Sequence, residues 1–208
     1  MPASSPELDR WNQKYRASPG SWLEHDPFLP RAFSEYIHPL FPAGGNVLDL
    51  AGGAGRHAIW LARQGWEVTL IDIAEEGLAL ARKNAEGVVS QIHFVLDDLS
   101  HFRAAQAQFD LVIAFFFLER SIFPQIVKAI RPGGLLVYKT LTRAQLSLPG
   151  GPRDPAHLLE EGELQRLAET EKLQVLHYRE QITAKATAEL VARKIPLTGC
   201  DNSHSRRP

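Results

Sequence analysis

The stretch NVLDLAGGAGRHAIWLARQG, Asn46 to Gly65, decides how the rest of the chain is read. It opens on a near-continuous apolar run, as a strand buried on both faces requires. It then turns through closely spaced glycines and continues with Ala58, Leu61 and Ala62 on one helical face, until Gly65 stops it. The same alternation recurs downstream. EVTLID predicts a second strand, followed by a helix from about Ala74 that places Ala74, Leu78, Ala81 and Ala85 on one face and ends at Gly87. IHFVL and FDLVIAFFF predict a third and a longer fourth strand, ERSIFPQIVKAI a helix, RPGG a turn and LLVYKTL a fifth strand. Residues 143–160, rich in proline and glycine, form a long connection of the kind that is more often functional than accidental. EGELQRLAETE then predicts a helix, and QVLHYREQ and TAELVARK two strands too close together for a parallel crossover, so they pair antiparallel.

Upstream, residues 1–10 predict a loose end, WNQKYRASPGSW a short aromatic segment, and DPFLPRAFSEYIHPLF a helix capped by Asp26 with Pro27 as its first residue. The last twelve residues, LTGCDNSHSRRP, carry no periodicity and are expected to be disordered. Strand and helix alternating in this way predict an α/β fold: one Rossmann-like, doubly wound and mostly parallel sheet in a single domain. Ligands bind such sheets outside the carboxyl ends of the strands, where strand order reverses.

Three ligands suit a glycine turn of this shape: a nicotinamide dinucleotide, a nucleoside triphosphate and S-adenosylmethionine. Gly53-Ala54-Gly55-Arg56-His57-Ala58 fits the dinucleotide pattern, which alone is a weak signal. A triphosphate loop needs Gly-Lys-Ser/Thr, and Gly55 is followed by Arg56 and His57. Asp49 separates the remaining two. A carboxylate near the end of the first strand repels a pyrophosphate and attracts the ammonium and sulfonium of S-adenosylmethionine. Asp72 ends the second strand, where a carboxylate can accept the protons of both ribose hydroxyls, and Asp98 follows the third, where it can accept an adenine amino proton. Acids at three successive strand ends are harder to produce by chance than one glycine pattern.

On these motifs the chain resembles the class I S-adenosylmethionine-dependent methyltransferases, from about Trp11 to Lys194. VLDLAGGAGRHAIWLA is similar to the family's first motif, VTLIDIAEEGL to its ribose-binding segment, FVLDDL to its adenine-binding segment, FDLVIAFFFLER to its fourth motif and AIRPGGLLVYKT to the strand after it. Within the family the likeness is strongest to the small tellurite-resistance-type and thiopurine-like enzymes, through W-x-x-x-Y near the start, G-R-(N/H) after the glycines, and EGEL…VLHY…LVARK at the close. The resemblance implies seven strands in the order 3-2-1-4-5-7-6, with the C-terminal strand antiparallel. It divides the single domain into an N-terminal helical lid (11–45), a cofactor-binding core (46–194) and a tail (197–208).

For the site, the resemblance implies that Asp49 and the backbone at Ala51 and Gly53 serve the methionine moiety, with Gly55 completing the turn. Asp72 and Ile73 would serve the ribose, Asp98 and Leu99 the adenine, and the Ala114 carbonyl the amino group. Position 51 is alanine where the family usually has glycine; alanine fits if its φ is negative. Lys139 stands where relatives often carry an acid, so substrate preference differs if Lys139 faces the pocket. Arg56 either holds the cofactor carboxylate or is a helix-start arginine paired with solvent. Trp11 and Tyr15, four apart on a helix face, are either a lid over the methyl donor or a staple onto the core. Phe116, within the phenylalanine run at 115–117, lines the pocket or packs in the core, and Glu119 and Arg120 contact substrate or begin a helix. His57 and His101 are read as structural, no cluster has metal-ligand spacing, and no catalytic base is identified.

Composition narrows the acceptor. In 208 residues of 44% hydrophobic content the formal charge is −1, and the 23 basic residues are scattered among 24 acids with no basic stripe. Nucleic acid is therefore not the expected partner. The single cysteine, Cys200, forms no internal disulfide and fits a reducing compartment. With no signal-like start and no membrane-spanning apolar run, the expected location is cytoplasmic and no membrane partner is expected. The fourth motif reads AFFF, not the Asn/Asp-Pro-Pro-aromatic run common in enzymes that methylate amide or exocyclic nitrogens. The expected reaction is methyl transfer to a small molecule; the alternatives are a non-catalytic S-adenosylmethionine-binding protein or, less well supported, a nicotinamide-dependent oxidoreductase. Acceptor atom and oligomeric state stay open.

Overall fold

The computed structural model of the protein describes residues 6–18, 20 and 23–195. The expected tail, 197–208, lies outside the described residues, as do residues 1–5 of the expected loose end. Residues 6–10 are not loose. They open a 12-residue helix, α1 (Pro6–Ala17), which begins on a proline and places Glu7 and Asp9 in its first turn and Lys14 and Arg16 in its last, as the helix dipole favours.

Seven strands form one sheet in the order β3-β2-β1-β4-β5-β7-β6. Strands β1 (Asn46–Leu50), β2 (Glu67–Asp72), β3 (Ile92–Leu96), β4 (Phe109–Phe115) and β5 (Ile130–Leu141) run parallel, and β7 (Ala186–Lys194) enters antiparallel between β5 and β6 (Leu173–Ile182). The alternation of side chains along each strand divides the core into two layers. Val47, Val68, Leu70, Leu111, Ile113, Val137 and Val191 face α2 (Phe28–Ala32), α4 (Arg56–Arg63) and α5 (Glu75–Asn84). Leu48, Leu50, Val112, Leu136, Tyr138 and Leu190 face α6 (Phe123–Ala129) and α7 (Glu163–Thr170). Fully burying one such Val or Leu contributes about 1.5–3 kcal/mol, so an odd-to-even slip in any strand is strongly opposed. Strand order reverses between β1 and β4, which sets the ligand crevice above their carboxyl ends.

Four local readings change. The helix predicted around residues 27–41 starts at Phe28, whose N–H donates to Asp26 Oδ1 at 2.9 Å, and it widens into a π-helical turn over Phe33–Ile37 before α3 (His38–Leu40). The widening precedes Pro39, which has no N–H to offer the preceding turn. The RPGG turn is drawn into β5 as an irregularity, because Gly133 takes φ +86 and Gly134 lies too close to the Asp110 carbonyl for any Cβ. Strand β4 stops at Phe115, and Phe116 turns into the left-handed region at φ +58. The connection 143–160 contains two 3₁₀ turns and returns to the sheet through a bridge between Thr142 and Leu159. Buried Gln145 organises it, donating to the Pro149 and Gly150 carbonyls and accepting the Ala186 N–H.

Ala51 departs from the condition attached to it. Its φ is +54, so an L side chain is held left-handed where glycine would carry no penalty. The turn leaves it no alternative, with the Gly52 N–H tied to the Ile71 carbonyl and the Gly55 N–H to the Gly52 carbonyl. Ala51→Gly is therefore expected to raise unfolding free energy by up to about 1 kcal/mol. Urea titration at fixed pH measures this, and an unchanged or lowered midpoint would contradict the strain.

Candidate active site

Asp49 lies on the α4 side of β1, directly beneath the glycine turn. It is only 1% exposed, and neither carboxylate oxygen has a hydrogen-bond partner among the described residues. Gly52 is glycine for this reason, since a Cβ there would sit 2.8 Å from Asp49 Oδ2 and equally close to Leu70. Burial and the neighbouring Asp72 push the Asp49 carboxyl up to about 8, opposed by Arg56 and by the Ala58 N–H, which lies near the carboxylate but outside hydrogen-bond geometry. A bare carboxylate in such a place is costly unless a cation or a proton accompanies it.

Asp72, at the end of β2, is held differently. Its Oδ2 accepts the Gly53 N–H and its Oδ1 the Ala74 N–H, each at 2.8 Å. Burial raises its pKa to about 6, opposed by the amides of Ala74, Gly53 and Ile73. The Gly53 amide is thereby committed to Asp72, so this position offers a ligand its carbonyl but not its N–H. Gly55 faces away from the crevice. Its Cβ would meet Ala81 at 2.9 Å, so it lets α4 pack against α5.

Tyr15 of α1 lies over the turn, its hydroxyl 2.1 Å from where a Gly53 Cβ would stand and its ring 2.8 Å from a Gly77 Cβ. Burial and Asp72 push the phenol pKa up. Trp11 stacks on it at 5.9 Å, and Lys14 caps the indole at 4.3 Å. The polar ties of α1 to α5 are an exposed pair, Arg16 to Glu76 at 2.9 Å, and a half-buried bond from the Glu76 N–H to Asn12 at 3.1 Å.

Asp98 follows β3, exposed, its Oδ1 accepting the Ser100 N–H, and the Leu99 side chain packs beneath into the second core layer. Ala114 is buried on β4 beside Leu50 and Tyr138. Thus Asp49, Ala51, Gly53, Asp72, Ile73, Asp98, Leu99 and Ala114 all lie at or beside the carboxyl ends of β1–β4. A concavity of about 250 Å³ exists at the opposite, amino ends of β1–β3, lined by Asn46, Glu67 and His93 among others. It carries none of these groups, and doubly wound sheets bind ligands at the other end.

Beyond β4 the site becomes strongly charged. Arg56, half-buried at the start of α4, donates to the Glu24 carbonyl at 3.3 Å and lies 5.6 Å from the centre of the Phe116 ring. Lys139 of β5 is buried, paired with Asp26 at 2.8 Å and with Glu189 of β7 at 3.0 Å. Glu189 is also bridged by Arg31 at 2.5 Å and accepts from Gln181 at 3.0 Å. The lysine thus fastens the start of α2 to the sheet, with its ammonium spent on two carboxylates. His57 accepts the Asp26 N–H at Nε2 and stacks on Phe115 at 4.1 Å; burial, then Arg56, keeps it neutral. It is a packing element, as expected.

Arg120 does not join this group. Its guanidinium grips Glu163 through two nitrogens, at 2.5 and 2.8 Å, and donates to the Ala156 and Leu158 carbonyls. Its work is to dock α7 and the long connection, which removes it as a pocket residue. Sequence reading missed Glu189, Asp26 as an ion-pair partner, and Lys185. Glu189 carried a signal, an acid inside an apolar strand; Lys185 carried none.

Three comparisons bear on this geometry. Residues 47–134 match the family described as a methyltransferase domain. The chain is 29% identical over 125 residues to a putative methyltransferase, YqeM, of Bacillus subtilis, covering 56% of this chain and 49% of that protein. It is 31% identical over 160 residues to a ubiquinone biosynthesis O-methyltransferase of Xylella fastidiosa, covering 67% and 65% respectively. The chain therefore spans between about half and two thirds of the length of these curated relatives. Among solved structures, the magnesium protoporphyrin IX methyltransferase of Synechocystis PCC 6803, with bound SAH, shares the fold at TM-score 0.71 and 15% identity, over 90% of this chain and 98% of that one.

The pairing of Lys139 yields a direct expectation. Lys139→Met leaves two buried carboxylates without their shared cation, so unfolding free energy should fall by about 3–5 kcal/mol. Adding Glu189→Gln should recover part of that loss. A single variant within about 1 kcal/mol of wild type in denaturant titration would show that the pairs carry no stability.

Proposed function

We propose that the chain, whose residues 47–134 match a methyltransferase domain, is a class I S-adenosylmethionine-dependent methyltransferase that transfers a methyl group from S-adenosylmethionine to a small-molecule acceptor by in-line displacement. The observation that carries this reading is Asp49. A buried carboxylate whose two oxygens lack partners suits a ligand that brings a positive charge and N–H donors to it. A dinucleotide would bring its pyrophosphate there, adding repulsion to a site already costly for charge.

The remaining groups fit the rest of the same ligand. Asp72 would take the ribose hydroxyls with the lone pairs its two amide bonds leave, beside Ile73. Asp98 and the backbone at Leu99 would meet the adenine, with the Ala114 carbonyl available to its amino group. The backbone of Ala51 and Gly53 and the guanidinium of Arg56 would face the methionine end. When bound, the cofactor supplies a methyl group already activated on sulfur.

What the chain must do is position the acceptor and exclude water, a contribution that can reach roughly 7–11 kcal/mol. We assign the covering role to α1, with Tyr15 and Trp11 as its inner face. Its polar ties to α5 are of the weak kind, so what holds it down is the small buried cluster of Tyr15 with Ala54 and Ala74, apart from the two main core layers. No described side chain is placed as a general base, which suits an acceptor that loses its proton without help. Among the described residues no helix is long and apolar enough to cross a membrane. A cytoplasmic setting with a small-molecule acceptor is the context we propose.

Asp49→Asn separates function from stability. In the cofactor-free protein it should raise Tm by removing an isolated buried acid, while weakening S-adenosylhomocysteine binding at least tenfold by calorimetry. Lower Tm together with unchanged affinity would refute the assignment. Stabilisation by NAD(H) but not by S-adenosylhomocysteine would refute the class of ligand.

The pH dependence has a definite sign. Asp49 is raised from 3.8 to about 8 in the folded chain, so between those values the folded state holds a proton that the unfolded state has lost. Stability of the cofactor-free protein should therefore fall as pH rises from about 4 to about 8, then level off. Asp72, raised to about 6, adds to the lower part of that range. In Asp49→Asn the fall above pH 6 should vanish; its persistence there would assign it to another group.

A further inference from the structure

Lys185 stands in the turn that joins β6 to β7, beside the carboxyl end of the sheet. Its backbone is pinned: its carbonyl accepts the Thr183 N–H at 3.0 Å, and the adjacent Ala186 bonds Gln145 through its N–H and Thr142 through its carbonyl, also at 3.0 Å. The side chain, by contrast, is exposed, and its ammonium lies 4.4 Å from the centre of the Phe116 ring. Arg56 approaches the same ring at 5.6 Å. Two cations thus share one aromatic platform at the end of β4.

Among the described residues neither cation has a salt-bridge partner. The contrast with Lys139 is informative, because the nearby acids Asp26 and Glu189 are already engaged with it. Partial burial of the ammonium pushes the Lys185 pKa down, with Arg56 and Lys139 adding to the shift and Asp26 opposing it. The platform itself is strained, since Phe116 is held at φ +58 with its N–H on the Lys139 carbonyl at 2.7 Å. A phenylalanine is disfavoured in the left-handed region, and the backbone here maintains it with the ring beside both cations. An anion placed beside Lys185 would relieve the repulsion, while its apolar body would cover Phe116.

We infer that Lys185 is the specificity-determining residue of an anion subsite for the acceptor, and that the acceptor is a small organic acid whose carboxylate meets Lys185 while its apolar or aromatic body lies on Phe116. Arg56 backs this subsite from the cofactor side, so Lys185 is the cation with no other duty. A protonated amine is disfavoured in the same place by both charges. The word acceptor rests on the methyltransferase reading above; the anion subsite itself does not.

The test uses benzoate and its neutral isostere benzamide as probes, titrated into the full chain with and without saturating S-adenosylhomocysteine, by calorimetry or ligand-observed NMR. Wild type should bind benzoate at least tenfold more tightly than benzamide. Lys185→Met should lose at least tenfold for benzoate and less than twofold for benzamide, with S-adenosylhomocysteine affinity unchanged, and Lys185→Arg should restore most of the benzoate binding. Equal affinity for both probes in wild type, no benzoate binding, or a Lys185→Met effect that is the same for both would overturn the inference. Failure of S-adenosylhomocysteine to bind would instead sink the methyltransferase reading and leave the benzoate comparison legible in the cofactor-free protein.

Discussion

The crevice is organised around a carboxylate that the protein buries and leaves without a hydrogen bond. Asp49 sits at the end of β1 with Leu48 and Leu50 packed into the opposite layer, so its position is fixed by the pleat of a strand buried on both faces. Gly52 has no side chain because that carboxylate occupies the space, and the turn then needs left-handed backbone at Ala51, Gly53 and Gly55 to re-enter a helix. The chain accepts strain at Ala51 and an unsatisfied acid at Asp49 in the same few residues. Both costs fall where a cationic ligand would be received, and the rest of the domain keeps its buried charges paired.

That contrast extends across the sheet. Between β5 and β7, Lys139 and Glu189 are buried too, yet each is matched, by Asp26 in one direction and by Arg31 and Gln181 in the other. The network ties the start of α2 to the sheet and gives the crevice a fixed wall. On the far face, Arg120 performs an equivalent service for α7 and the long connection. With those charges consumed structurally, Arg56 and Lys185 are the cations left facing Phe116. The proposed chemistry of the acceptor half follows from this difference between paired and unpaired charge.

Much of this was legible in the sequence because it is written in local periodicity. The strands, their apolar runs and the helices between them follow from spacing alone, and Asp49, Asp72 and Asp98 stand out as acids at the ends of such runs. The strand order came through the family resemblance, and the sheet has that order. What could not be read depends on contacts across long separations or on backbone angles. Lys139 looked like a pocket residue because Asp26, 113 positions away, gives no local hint of pairing with it. Arg120 is alike in this respect, because its partners lie 36 to 43 positions downstream. Ala51 fits without strain only at negative φ, and no local pattern reveals that the turn holds it at +54. Residues 6–10 looked loose because their polar composition hides a helix whose value lies in bringing Trp11 and Tyr15 onto the turn.

The central claim is that Asp49 is held as a protonated acid near neutral pH until a cationic ligand ionises it. Calorimetry of S-adenosylhomocysteine binding at pH 7, in two buffers of different ionisation enthalpy, reads this directly. The account predicts release of close to one proton per ligand bound, about 0.9 for a group titrating near 8, and no such release in Asp49→Asn. Binding without proton release in the wild-type protein would contradict it.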